Sequence, residues 1–188
     1  MNFLRILSFF KPILAQSSKK SNLNFKIVII FNFSDRKPQK ISKLSGLKTG
    51  YFKQIDSDVT LGYVSISLYP SKNNNVLFEF KSLVPNWKLM EMLKSKHISE
   101  YDFEKEYLIQ LNNLNAKTIF EQVNFLTGEY EPILMTHGNK SSFCHRHIVA
   151  KWFENALGVR IDEFKIGAVQ RSNGYMKKIT QKRLFENE

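Results

Sequence analysis

Between Pro132 and Gly158 the chain reads as a short apolar run, a polar loop and a helix with one apolar face, an order that leaves few folds open. Pro132-Ile133-Leu134-Met135-Thr136 has strand length and carries no charge. His137 to Ser142 is polar and contains Gly138. From about Phe143 to Leu157, the residues Ile148, Val149, Trp152, Phe153 and Leu157 recur at helical spacing, and Gly158 supplies the stop.

The alternation of strands and helices extends along the chain. Leu23 to Ser34 is a nearly unbroken β-branched and aromatic run, the pattern of a first strand buried on both faces. Asp35 to Gly50, rich in Lys, Ser and Gly, reads as a loop. In Gly62 to Tyr69, Val64, Ile66 and Leu68 fall on one face of a second strand, with Tyr63, Ser65, Ser67 and Tyr69 on the other. Val76 to Phe80 is a short edge strand.

Three helices follow. The first runs from Pro85 to about Lys94 with Trp87, Met90 and Leu93 on its inner face. The next is capped by Ser99 with Asp102 and buries Phe103, Tyr107, Leu108, Leu111 and Leu114. The third starts at Asn115, buries Ile119, Phe120, Val123 and Leu126, and stops at Gly128. Val159 to Phe164 is a final strand. The expected architecture is a single layered α/β domain with a mostly parallel sheet flanked by helices. The expected organisation is a basic arm over residues 1–22, the α/β domain over 23–165 and a basic tail over 166–188.

At 188 residues the chain suits one domain, and 43% hydrophobic residues exclude global disorder. One cysteine allows no internal disulfide, and no apolar run is long enough to span a bilayer, so a cytoplasmic protein without a membrane partner is expected. Met1 to Phe10 is mostly apolar, but Lys11 and Pro12 interrupt it, which fits an arm better than a targeting segment.

The net charge of +11 is unevenly placed. Residues 1–54 hold eleven Lys/Arg against Asp35, residues 55–164 hold eleven against fourteen acids, and residues 165–188 hold six against two. Basic ends attract a polyanion, so nucleic acid or a nucleotide is the expected partner, with Arg171, Lys177, Lys178, Lys182 and Arg183 as the contacts. A protein partner is the alternative.

The loop before the last helix carries the chemistry. Ligands in such folds bind beyond the carboxyl ends of the strands, where the following helix offers unpaired N–H groups and a positive dipole end. Lys140, Ser141, Ser142 and Arg146 are the expected anion-binding residues. A cysteine in that field is biased toward thiolate, so Cys144 is the candidate nucleophile, with His145, His147 and His137 as the other catalytic candidates. No metal site is expected: Cys144, His147 and His137 are barely enough ligands, and neighbouring helical residues point apart. The cofactor is left open.

Several motifs, in order, carry a resemblance: VSISLYP at Val64 to Pro70, LVPNW at Leu83 to Trp87, HISEYDFEKEY at His97 to Tyr107, PILM at Pro132 to Met135, and FCHRHIVAKWF at Phe143 to Phe153. Together they resemble domain-of-unknown-function family 488, small bacterial and phage proteins with a Cys-His-Arg signature, over about half of the chain. The resemblance implies a single α/β domain and a cluster of Cys144, His145 and Arg146; it implies no reaction. Family members carry a second cysteine, an aromatic and a glutamate where this chain has Met135-Thr136-His137-Gly138, and a glycine-histidine turn where it has Phe31-Asn32-Phe33-Ser34. Two functions are therefore expected. One is a nucleic-acid-related enzyme acting on a nucleotide or base; the other is a non-catalytic nucleic-acid- or protein-binding member without the catalytic carboxylate.

Overall fold

The computed structural model describes residues 46–56, 62–69, 71–73, 75–128 and 130–179. The arm and strand expected before residue 45, and Lys182 and Arg183, lie outside them. The elements are β1 (Lys48–Tyr51), β2 (Gly62–Ser65), β3 (Phe78–Glu79), α1 (Trp87–Lys94), α2 (Glu100–Asn112), α3 (Ala116–Thr127), β4 (Pro132–Thr136), α4 (His145–Leu157), β5 (Asp162–Glu163), β6 (Val169–Ser172) and β7 (Tyr175–Lys178).

Strands β1 to β5 form one sheet in the order β3-β2-β4-β1-β5, with every neighbouring pair parallel. Thus the α/β layered architecture holds, and all the strands end on one side. The helix-covered face takes Val64, Ile66 and Leu134 into the main core with Phe103, Tyr107, Leu111, Phe120, Val123, Ile148 and Phe153. The opposite face takes Tyr63, Ile133 and Met135, with Phe52, Ile55 and Phe164 packed beside them. Strand β2 is therefore buried on both faces, and its alternation sorts residues between two cores.

Local chemistry explains the helix ends. Ser99 and Asp102 form a reciprocal capping box at α2, Asn115 accepts from the Thr118 amide at α3, and Gly158 ends α4 at φ 65°.

Three expectations are corrected. The span expected as a loop to Gly50 contains the start of β1, whose four residues include a lysine and a glycine; pairing with β4 and β5 holds it as a strand. Trp87 is 65% exposed, because it stands at the first position of α1 while Leu89, Met90 and Leu93 make the packing. The tail expected from residue 166 enters the fold: β6 and β7 form an antiparallel hairpin whose inward positions, Val169 and Arg171, are buried.

Candidate active site at the carboxyl end of the sheet

Thr49, Thr136 and Glu163 share the helix-covered face: Thr49 lies opposite Leu134 and Glu163 in the register, and Thr136 is two residues beyond Leu134. Helix α4 begins directly above them. Arg146, in its first turn, is 0% exposed. Its Nε donates to Glu163 Oε1 at 3.0 Å, Nη1 to Thr136 Oγ1 at 3.3 Å and Nη2 to the Asn139 carbonyl at 2.8 Å. The guanidinium also lies 5.4 Å from the Tyr51 ring centroid.

A second buried arginine closes the cluster. Arg171, from β6, is 5% exposed and donates to Glu154 Oε1, the Ile161 carbonyl, Thr49 Oγ1 and Glu163 Oε2. Thr49 Oγ1 itself donates to Glu163 Oε2 at 2.6 Å. Two arginines facing two glutamates leave no net charge, which is how the interior tolerates them.

Cys144 occupies the N-cap position of α4 and is 6% exposed. Its side chain does not cap the helix; its amide donates instead to the Gly174 carbonyl in the β6–β7 turn at 2.9 Å. Sγ lies 3.2 Å from Thr136 Oγ1. Because that oxygen accepts from Arg146, its own proton is free to point at the sulfur. The His145 ring is the other partner: its Nε2 donates to the Ile66 carbonyl at 2.9 Å, and with the ring charged Nδ1–H donates to the thiolate.

Burial alone would push the Cys144 thiol up. The His145 hydrogen bond, the positive fields of His145 and Arg146, and the Thr136 hydroxyl outweigh it and bring the thiol down to about 6. Gly138 makes room for this arrangement: a Cβ there would stand 2.7 Å from both Cys144 Sγ and Arg146 Nη1.

The remaining candidates are placed differently. His147 is buried, neither ring nitrogen has a partner among the described residues, and burial with help from Arg146, Arg171 and His145 lowers it to about 2. It stays neutral at ordinary pH. His137 is exposed, with Nε2 on the Tyr69 carbonyl and its ring edge-on to Phe52. Lys140 and Ser141 are exposed and Ser142 is half-buried. The amides of Ser141 and Ser142 donate to Asn139 Oδ1 at 3.0 and 2.9 Å, so the loop supplies its own acceptor where an anion would sit. Among the described residues no three His, Cys, Asp or Glu side chains gather as a metal site.

Of the basic residues expected on nucleic acid, Lys177 and Lys178 are exposed on β7. Arg171 is corrected: its guanidinium is spent inside the domain, where it pairs with the half-buried Glu154 and the buried Glu163. Reading the sequence also missed Thr49, Thr136, Asn139 and Glu163. Only Glu163 had a signal, as an acid inside an expected strand.

No family model matches this chain, and no solved structure matches it. Among curated proteins it is similar to the type II restriction enzyme HpaII of Haemophilus parainfluenzae, 24% identical over 163 residues, covering 87% of this chain and 39% of that protein. The chain thus spans about two-fifths of that relative's length. No helix among the described residues is long and apolar enough to cross a membrane.

Proposed function

We propose that this chain is a nucleic-acid-related enzyme acting on a nucleotide or base, with Cys144 as its nucleophile, and that it is a divergent member of family 488. The observation that carries the reading is the placement of Cys144 at the start of α4, 3.2 Å from the Thr136 hydroxyl that Arg146 also holds, at the carboxyl end of a parallel sheet, where such folds bind ligands. His145 and the Arg146–Thr136 pair are positioning and activating groups around it. The likeness to a restriction enzyme and the basic ends support nucleic acid as the substrate class. Lys177 and Lys178 replace Arg171 as the contacts to test on the hairpin.

The test is incubation of the whole chain with nucleotides and with single- and double-stranded oligonucleotides, followed by mass spectrometry of products and of the Cys144 peptide. Conversion or a covalent adduct is expected, absent in Cys144→Ser, with oligonucleotide binding retained. Conversion that survives Cys144→Ser removes the nucleophile.

One observation favours a non-catalytic binding protein instead: Arg146 is closed off by Glu163 and Asn139 fills the loop amides. In that reading the wild-type chain binds oligonucleotides and converts nothing. Lys177→Gln with Lys178→Gln would then flatten the salt dependence of binding without affecting the thiol.

A further inference from the structure

We infer that the ring of Tyr69 is a stacking platform for an unpaired nucleic-acid base at the mouth of the Cys144 site, with Lys94 beside it to meet a phosphate. The inference rests on the nucleic-acid reading above and adds the recognition element that reading lacks.

Tyr69 follows β2 on the side where the strands end. Its carbonyl accepts from His137 Nε2 at 3.1 Å, and His137 is the residue after Thr136, whose hydroxyl touches Cys144 Sγ. Platform and thiol are thereby tied to neighbouring strands. Val64 and Ile66, earlier in the same segment, are fully buried, whereas Tyr69 is 52% exposed and leaves much of an aromatic ring in water.

The charge around the ring selects the partner. Lys94 Nζ stands over one face of the ring, 5.8 Å from its centroid, and its ion pair among the described residues is a long one, 3.9 Å, with Glu91. Lys53, in the 3-10 turn after β1, and Lys140, in the loop after β4, are at the same end of the sheet, exposed, and make no ion pair among the described residues. Lys81 and Lys165, which also follow strands at this end, are paired with Glu79 and Asp56, so the cations left over there among the described residues include Lys94, Lys53 and Lys140. A half-exposed aromatic ring with a lysine over it, and two further lysines without an ion pair among the described residues at the same end of the sheet, fit a ligand that is flat, aromatic and anionic. A strand of nucleic acid has both features, and only an unpaired base can offer its face, because a duplex hides base faces in the stack.

The experiment titrates the full chain into a single-stranded oligonucleotide carrying 2-aminopurine, whose emission falls on stacking, at low salt. Binding with quenching is expected, and a duplex of the same sequence should bind more weakly and quench less. Tyr69→Ala should weaken single-strand binding by about 5- to 100-fold and remove the quenching, while Tyr69→Phe stays within about twofold of wild type. Lys94→Gln should reduce the salt slope by about 0.7. Tyr69 is exposed, so far-UV circular dichroism of these variants should match wild type. Binding and quenching unchanged in Tyr69→Ala would overturn the platform alone. No binding of any oligonucleotide by the wild-type chain would overturn the nucleic-acid reading with it.

Discussion

The helical layer over the sheet has two halves that hold together by different physics. Over β2 and β4, the side chains of α2, α3 and the later turns of α4 are apolar: Phe103, Tyr107, Leu111, Phe120, Val123 and Phe153 are buried against Val64, Ile66 and Leu134. Over β1 and β5, at the first turn of α4, Arg146, Arg171, Glu163, Thr49 and Thr136 fill the equivalent space. The apolar half stabilises through area removed from water, a non-directional contribution that tolerates small shifts. The polar half is directional. Each of its members is held by the others, which fixes Thr136 and Arg146 against Cys144 more tightly than apolar contacts would.

The contrast fails first, if it fails, at Glu163. Glu163→Ala strands the buried Arg146 guanidinium, while Arg171 keeps Glu154, and should cost about 3–5 kcal/mol in urea denaturation. Adding Arg146→Met should recover part of the loss, because the stranded charge is removed. A double variant as unstable as the sum of the two single variants would mean that the residues do not act as a network.

In the apolar half, Leu111→Ala should cost about 3 kcal/mol through lost burial and the cavity left behind. The same measurement repeated across salt concentrations sharpens the distinction. The Leu111 loss should stay constant, and a strong salt dependence would place charge where only packing is described.

The pH dependence of stability should come from the polar half. A Cys144 thiol at about 6, against a usual value near 9, contributes stability that is full above pH 9 and is lost as the pH falls toward 6. His147, held near 2 against a usual 6.5, contributes stability that is full above about 6.5 and is lost as the pH falls toward 2. Urea midpoints measured from pH 9 down to pH 4 should therefore decline throughout. Cys144→Ser should flatten the upper limb and His147→Phe the lower one; limbs that do not separate in this way would break the assignment. Alkylation of Cys144 by iodoacetamide should follow an apparent pKa of about 6 in the native chain.

The smallest effect is steric. Gly138→Ala places a methyl group 2.7 Å from Cys144 Sγ and Arg146 Nη1, and should cost about 1–3 kcal/mol. Its informative readout is the thiol, whose alkylation pKa should rise as the sulfur is pushed from Thr136. An unchanged pKa would mean that the Thr136 contact does not matter to the thiolate.

Where the residues state their own periodicity, the fold was legible. The capping box at Ser99, the cap at Asn115, the stop at Gly158 and the apolar faces of α2, α3 and α4 are local signals, decided within one or two turns of chain. Cys144 at the start of α4 was legible for the same reason, since the apolar run, the polar loop and the helical spacing lie consecutively. Strand β1 was not. Four residues with a lysine and a glycine have no pattern of their own, and β4 and β5, more than eighty residues away in sequence, hold them extended. Likewise, sequence placed Arg146 beside Cys144 but could not choose its partner among nearby acids. Glu154, Asp162 and Glu163 all lie near it along the chain, and Glu163 took the role because the parallel register sets it opposite Thr49, on the face beneath α4. Arg171 reads as one more cation near a basic terminus until the hairpin turns it inward. Charge count is a property of sequence; whether a charge faces solvent or a buried carboxylate depends on strand pairing, which joins residues too far apart for local pattern to connect.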